Sequence, residues 1–398
     1  MVRVVIVFMI LFVSCKSPSQ SEGMEYSSIY SYETVDYCRG IDVHDDMLVA
    51  ASSGNGYMRF RINNDYSLDS LYFSEINQSA GDDQAYSVLL SKNDTYLGLV
   101  LDDIDGISYE FFNEDGTHND AWALTQVGTC ANTNLFRSMA IDDSESGEIK
   151  LFTLQKHVAP DGVQCGALSE VDCLLYPMSC EWDSDAGECD VQTNFNETVQ
   201  PNSTSVGMFT IEAGQEFGFP SLTNYGCNVS FESNQNLDIQ PMDIYYSNGF
   251  ISVSDGPEVK VFELDSNDDL SLAHSFYKQG GHAQSVFSLE NSFFGGFDND
   301  KGCYMVLLDL TSEDVSEINN LSFAEGYSIT SIHYDSNMLA LGTGSDDKVL
   351  LYSWVPGTTS ISSMGVVDVG GYVYDVKLQD RILYVASREG INIYQIGD

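Results

Sequence analysis

The stretch Ile382-Leu-Tyr-Val-Ala-Ser-Arg-Glu-Gly-Ile391 contains the unit that predicts the fold. In it an alternating apolar strand meets a polar turn with a glycine, and a second apolar strand, Asn392 to Ile396, follows at once. A third short strand, Tyr374 to Leu378, comes just before it. Three short strands with tight polar turns form an antiparallel meander, which cannot bury both of its faces alone. The unit therefore needs neighbours of its own kind.

The same unit recurs upstream, with first strands that start near residues 40, 87, 138, 243, 285, 331 and 375. A period of about 40 to 50 residues, with three or four strands in each copy, is typical of β-propeller blades. The sequence therefore predicts an all-β, seven-bladed β-propeller of antiparallel meanders. Eight blades stay possible because the third copy is interrupted. A β-sandwich of unrelated hairpins is the alternative.

Small residues stand just before the first apolar residue of each first strand: Gly40, Ser87, Ser138, Asp243, Ser285, Ser331 and Asp375. Blades converge toward the axis of a propeller, so the least space is available at the innermost strand. We expect these positions to lie next to the axis.

The amino-acid sequence of the repeats resembles that of a known family. Tyr374-Asp-Val, Leu383-Tyr-Val-Ala and Gly390-Ile-Asn-Ile are similar to the LVIVD repeat of bacterial surface and lipoprotein propellers. The resemblance implies a propeller fold and an exported location. It supplies no catalytic residues.

The amino terminus has the pattern of an export signal. Arg3 precedes an apolar run, Val4 to Val13, that is too short for a permanent membrane helix, so residues 1–14 are predicted to be a signal peptide. Leu11-Phe-Val-Ser-Cys15 resembles a bacterial lipobox, although Phe12 stands where leucine is usual. Cys15 is then the lipidated residue and residues 15–23 a tether, in an outer membrane lipoprotein whose periplasmic or cell-surface side stays open. An ordinary secretory signal is the alternative.

The remaining chain, residues 24–398, is assigned to the propeller. The last copy has only three strands before the chain ends, while residues 24–33 are strand-like and belong to no copy. We expect this segment to be the outer strand that closes the ring and removes open sheet edges.

The cysteines indicate an inserted disulfide-rich segment at residues 157–204, within the third blade. It carries Cys165, Cys173, Cys180 and Cys189, and cysteines in an exported chain favour disulfides. Cys130 and Cys227 flank the third copy and are a further candidate pair. A zinc site is the rival interpretation, although the chain has no CxxC pair in this cluster. Cys38 and Cys303 have no partner that the sequence suggests.

The charge excludes one class of partner. The chain has 16 Lys and Arg against 60 Asp and Glu, a net charge of −44, which repels nucleic acid. No catalytic constellation is recognisable among the scattered histidines and serines.

Acidic turns between second and third strands should meet on one face, and their carboxylates could hold calcium. These candidates are Asp102, Asp105, Asp298, Asp300, Asp346 and Asp347.

The alternative for these turns is that an acid-rich chain has acidic turns everywhere.

The sequence as a whole favours a lipid-anchored extracytoplasmic propeller that binds or scaffolds a protein or glycan ligand on a loop face, with no cofactor other than possible calcium. A metal-assisted propeller hydrolase or lactonase is the alternative function.

Overall fold

The computed structural model describes residues 24–34, 36–53, 56–74, 85–92, 96–102, 106–116, 125–127, 134–144, 148–157, 180–183, 188–191, 204–212, 223–224, 229–231, 241–266, 269–311 and 315–397. The predicted signal peptide, Cys15 and the tether lie outside these residues.

The described strands form seven blades, each a meander whose strands pair antiparallel. Blade 1 has β2 (Cys38–His44), β3 (Met47–Ser52), β4 (Gly56–Ile62) and β5 (Leu68–Ser74). Blade 2 has β6 (Ala85–Lys92), β7 (Tyr96–Asp102), β8 (Gly106–Phe112) and β9 (Thr125–Val127). Blade 3 has β10 (Asn134–Asp142), β11 (Glu148–His157) and β14 (Thr204–Glu212), with β15 (Thr223–Asn224) and β16 (Val229–Phe231) both paired to β14.

The second half of the chain is more regular. Blade 4 has β17 (Pro241–Ser247), β18 (Phe250–Asp255), β19 (Glu258–Leu264) and β20 (Leu270–Tyr277). Blade 5 has β21 (Ala283–Leu289), β22 (Ser292–Phe297), β23 (Gly302–Asp309) and β24 (Ser316–Phe323). Blade 6 has β25 (Ile329–Asp335), β26 (Met338–Thr343), β27 (Lys348–Trp354) and β28 (Ile361–Asp368). Blade 7 has β29 (Val373–Gln379), β30 (Ile382–Ser387), β31 (Gly390–Ile396) and β1 (Tyr26–Tyr32).

The first strands of neighbouring blades contact one another in a closed ring, which ends where β29 meets β2. The core is divided into layers between blades. Between blades 1 and 2, for example, Met47, Val49 and Tyr57 pack in one buried cluster with Val88 and Phe112. Each blade thus buries its two faces against its neighbours, as the isolated meander could not. The chain is a seven-bladed β-propeller, which confirms the predicted fold class.

The axial positions of the repeat are tight. A Cβ atom on Gly40 would lie 3.1 Å from the Ser87 Cα atom and 3.2 Å from the Val88 nitrogen, so a larger residue would push against the backbone of blade 2. Ser87 is the equivalent residue of that next blade, which shows how closely the innermost strands approach each other. The small residues of this position therefore agree with the taper that the sequence suggests.

The ring is completed by the amino-terminal segment. β1 pairs antiparallel with β31, with Tyr26 opposite Ile396 and Tyr32 opposite Ile391. It is the outermost strand of blade 7, the place that the sequence analysis gives to residues 24–33. Blade 7 is thus built from both ends of the chain, and this pairing joins the first segment to the last.

The segment inserted in blade 3 leaves and re-enters the sheet at the same place. β11 and β14 pair directly, with Leu154 opposite Val206, so the long connection between them starts and ends on adjacent strands. Within that connection β12 (Cys180–Asp183) and β13 (Glu188–Val191) form a separate two-stranded hairpin. Since β14 completes blade 3, the described sheets require no eighth blade.

Removal of residues 24–33 should destabilise the whole ring, because it exposes the hydrogen-bonding edge of β31 and the apolar side chains under β1. We expect the melting temperature, measured by circular dichroism, to fall by roughly 5 °C or more. Deletion of tether residues 16–23 is the matched control and should leave the melting temperature unchanged. Equal melting temperatures for the closing-strand deletion and the intact chain would contradict closure by β1.

Candidate functional site: the axial cavity and its rim

A cavity of about 580 Å³ lies on the propeller axis. Its walls come from the first strands of all seven blades, β2, β6, β10, β17, β21, β25 and β29. This volume falls in the range of small-ligand and side-chain pockets. The cavity is therefore the natural place to look for a site.

Every first strand has a β-bulge near its start, where the pairing register with the second strand shifts. A bulge inserts one residue and turns its side chain away from the regular alternation. In each blade the residue just before the small axial residue lines the cavity. We call these side chains the rim: Arg39, Tyr86, Arg137, Met242, Gln284, Thr330 and Tyr374.

The two aspartates among the small axial residues below the rim accept backbone hydrogen bonds from the next blade. The Asp375 Oδ2 atom of blade 7 accepts from the Ile41 nitrogen of blade 1 at 3.2 Å. The Asp243 Oδ2 atom accepts from the Val286 nitrogen of the next blade at 2.9 Å. First strands are sheet edges that face the axis, and their backbone N–H groups need partners. The axial carboxylates provide them.

A second tier of side chains that accept backbone N–H groups lies two residues after the small axial residues. The Asp42 Oδ2 atom accepts from the Leu90 nitrogen of blade 2 at 2.8 Å. The His333 Nδ1 atom accepts from the Leu378 nitrogen of blade 7 at 3.0 Å, which fixes its neutral tautomer with the proton on Nε2. Lys377 lies in the same tier, with its Nζ atom 3.3 Å from the Asp42 Oδ1 atom.

Burial shifts the pKa values of these groups. Desolvation raises the pKa of Asp243 to about 6, although its hydrogen bonds act in the opposite direction. Desolvation also raises the pKa of Asp375. Burial, with a smaller effect of Lys377, lowers the pKa of His333 to about 3. Burial acts to lower the pKa of Lys377, but Asp42 and Asp375 outweigh it and hold that pKa above its ordinary value.

The rim residue Arg39 contacts side chains of three blades. Its Nε atom donates to the Ser53 Oγ atom at 2.6 Å. Its guanidinium lies over the Tyr86 ring, 4.6 Å from the centroid, and 5.6 Å from the centroid of Tyr374. Tyr374 in turn stacks on Tyr37 at 6.1 Å. The arginine thus touches blades 1, 2 and 7 at once.

The predicted acidic site residues lie in turns on the rim face. In blade 5, Asp298 accepts from the His282 nitrogen at 2.7 Å and lies 3.1 Å from the His282 Nδ1 atom. Asp300 exchanges hydrogen bonds with Ser328, at 3.1 Å from its nitrogen and 3.4 Å from its Oδ1 atom. These two carboxylates are engaged within their own turns and with the link to blade 6.

The corresponding turn of blade 6 holds Asp346 and Asp347. The Asp347 backbone has a positive φ of 55° and its carbonyl accepts from the Val369 nitrogen at 2.9 Å. The Asp346 Oδ2 atom is buried without a hydrogen-bond partner among the described residues. Within the part of the chain that the structure describes, no three His, Cys, Asp or Glu side chains converge to hold a metal. The Asp102 side chain and Asp105 lie outside that part, so the calcium site stays a prediction.

The predicted disulfides also fall outside the described side chains. Cys130, Cys165, Cys173 and Cys227 lie outside the described residues, and of Cys180 and Cys189 only the backbone, in β12 and β13, is described. Their pairing stays a prediction. Cys38 and Cys303 are buried free thiols, and burial raises the pKa of both. They behave as small apolar core residues.

Comparisons with known proteins show the fold. No family model matches the chain, and no curated protein matches it. Among solved structures, the WD40 repeats of RRP9 have a TM-score of 0.54 at 10% identity over 94% of this chain and 98% of that one. The propeller domain of Cps50 (Swd1) from Myceliophteria thermophila has a TM-score of 0.54 at 8% identity, over 94% of this chain and 100% of that one.

A computationally designed protein, Ika8, is similar as well, with a TM-score of 0.50 at 12% identity over 94% of this chain and 100% of that one. Identities this low show a common architecture and carry no function across. Because no family model matches, the resemblance to LVIVD repeats stays a prediction.

Replacing His333 with Gln should change the acid sensitivity of the propeller. The native imidazole stays neutral down to about pH 3, while the unfolded chain takes up a proton below about pH 6.5. The native state thus binds fewer protons in this window, and its stability is lost as the pH falls through it. Gln can still accept from Leu378 but does not titrate.

We therefore expect the wild type to lose about 3 kcal/mol relative to His333→Gln between pH 7 and pH 4, from urea unfolding at each pH. Asp243, with its raised pKa, works in the opposite direction between its usual 3.8 and about 6, but it is present in both proteins and cancels in the comparison. Parallel pH profiles for the two proteins would contradict the buried neutral histidine.

Proposed function

We propose that the protein is a binding propeller that holds a protein ligand at the rim of its axial cavity. One observation carries this proposal: a repeated bulge directs one side chain from each blade into a single opening. The neighbouring axial residues below serve the backbone of the ring. The repeat thus separates a layer that holds the fold together from a layer of varied side chains, as a recognition surface requires.

The rim face has further surface for a partner. The connection between β11 and β14 leaves blade 3 after His157 and returns at Thr204, which pairs with Lys156. First strands begin at the rim and second strands return toward it, so this connection emerges on the rim face beside Arg137. An insertion that the blade itself does not need is suited to contact a ligand that occupies the opening.

No observation favours the hydrolase or lactonase alternative. The described histidine of the cavity, His333, already accepts a backbone hydrogen bond, and the axial carboxylates Asp243 and Asp375 accept two or more each. A general base needs a free lone pair within reach of the substrate proton. Binding is therefore the function that these side chains support best.

We also propose that the protein works outside the cytoplasm as a lipid-anchored member of the LVIVD-like propellers. The lipobox-like Leu11 to Cys15, the acidic surface and the wording of the repeats support this. Within the described residues no helix is long and apolar enough to cross a membrane. An acyl anchor on Cys15 would attach the chain, since each buried methylene contributes about 0.8 kcal/mol.

A photo-crosslinking amino acid at Met242, a rim residue that is 41% exposed, should give one discrete adduct in intact cells, because the ligand occupies the rim. The same probe at Leu272, which is 58% exposed on the outer strand β20 of the same blade, is the matched control and should give none. Adducts of equal yield from both positions, or none from Met242, would contradict a ligand at the rim.

Replacing Cys15 with Ser should release the protein from membranes, since the thiol that carries the acyl chains is gone. The wild type should sediment with the membrane fraction and dissolve only in detergent, whereas the variant is recovered as unprocessed precursor or in the soluble exported fraction. A wild type that fractionates without detergent as a soluble protein would rule out the lipid anchor.

A further inference from the structure

Basic residues are scarce in this chain, yet three of them line the axial cavity. The chain has 16 Lys and Arg in 398 residues, and Arg39, Arg137 and Lys377 all belong to the cavity wall. Lys377 has an anionic partner in Asp42 at 3.3 Å. The three carboxylates of the wall accept backbone hydrogen bonds between blades, so their charge is held at the lower tiers.

Arg39 is held in a neutral environment instead. Its partners among the described residues are the hydroxyl of Ser53 and the rings of Tyr86 and Tyr374. Aromatic faces attract a cation but do not neutralise it. The hydrogen bond uses the Nε atom, and the two rings hold the plane of the guanidinium in place. The side chain therefore loses little further freedom when it binds a ligand.

A stacked guanidinium matches the geometry of a carboxylate. Its planar fork of N–H donors pairs with two oxygens at once, which an ammonium group cannot do. Arg137, from the corresponding position of blade 3, adds a second positive charge to the wall of the same cavity. An anion in this opening meets the two arginines before it reaches the carboxylates of the lower tiers.

We propose that the rim captures a carboxylate of its protein ligand, from an acidic side chain at a loop tip or from a chain terminus, and that Arg39 is the anchor. This rests on the proposed binding function and adds the chemistry of the ligand. The cavity of about 580 Å³ is closed around an axis, so it admits the tip of a segment. A polymer that runs along a surface would need a groove.

The aromatic residues favour a protein over a glycan. Sugar rings need free aromatic faces, but Tyr374 is already covered by Arg39, by Tyr37 at 6.1 Å and by Tyr372 at 4.7 Å. The Tyr86 ring also faces Arg39. Among the described residues of the rim, the tyrosines therefore position the arginine and leave no stacking platform.

The test uses the full exported chain and three small probes: triglutamate, triglutamine and trigalacturonate. Binding is followed by ligand-observed NMR and by isothermal titration. Triglutamate should bind the wild type at least about tenfold more tightly than triglutamine does, a difference of about 1.4 kcal/mol. Arg39→Gln should abolish this preference, and Arg39→Lys, which keeps the charge and loses the fork, should retain only part of it.

Arg61→Gln is the matched control, because Arg61 lies outside the cavity wall and contacts Asp46 and the Glu114 carbonyl. It should leave the preference for triglutamate intact. A thermal melt of each variant separates loss of the site from loss of the fold, and Tyr86→Leu, which removes the stacking partner, provides a second route if Arg39→Gln does not fold.

Several outcomes would overturn the proposal. Equal binding of triglutamate by the wild type and by Arg39→Gln would remove Arg39 as the anchor. Trigalacturonate binding in the absence of triglutamate binding would replace the protein ligand by an acidic glycan. If neither probe binds while Met242 still crosslinks to a ligand, carboxylate capture is wrong and the binding function stands; if Met242 gives no adduct either, both fall.

Discussion

The structure depends on how the innermost strands satisfy their free edges. Each first strand pairs with its own blade on one side and faces the axis on the other, where its backbone N–H groups have no strand to bond. Asp375, Asp243 and Asp42 accept such groups from the next blade, and His333 does the same for Leu378. An unsatisfied buried N–H costs about 1 to 3 kcal/mol, so these caps decide whether neighbouring blades can approach closely.

The same bonds also set the chemistry of the carboxylates in the cavity wall. A carboxylate that accepts several N–H groups is fixed in place and is a poor base for a substrate. Burial nevertheless raises the pKa of Asp243 to about 6. In the proposed binding mode, contact with the ligand is made by the bulged residue one position earlier. That residue is the extra one in the bulge, and it varies among Arg, Tyr, Met, Gln and Thr. In blade 6 it also serves the ring, since the Thr330 hydroxyl donates to the Val373 carbonyl of blade 7 at 2.8 Å.

The repeat and its period are visible in the sequence because strands of alternating apolar residues and glycine turns are local features. The closing strand can be predicted by counting strands, since the last repeat has only three and the segment Tyr26 to Tyr32 belongs to no other blade. The role of the small axial residues was only half predicted. Their small size is visible in the sequence, but hydrogen bonds such as that from Ile41 to Asp375 join residues 334 positions apart, and no local pattern reveals them.

The rim was missed for a related reason. Aligned on the axial residue, the preceding positions hold Arg twice, Tyr twice, and Met, Gln and Thr once each, so no single residue type marks them. The signal is positional: the bulge recurs in all seven blades while the side chain does not. The acidic turns stand out in the sequence because their composition repeats, and in the structure Asp298 bonds to His282 and Asp300 to Ser328.

The scarce cations show where electrostatics matters in a chain of net charge −44. Arg59 is buried between blades 1 and 2 against Glu110 at 3.0 Å, and Lys377 is enclosed by Asp42 and Asp375. Removing one member of such a pair leaves a buried charge uncompensated, so these two cations belong to the fold. Arg39 differs, since its described neighbours are neutral and it stands at an opening. Salt screens the long-range repulsion between this acidic surface and an anionic ligand, so under the proposed carboxylate capture selectivity comes from the short-range fork of Arg39.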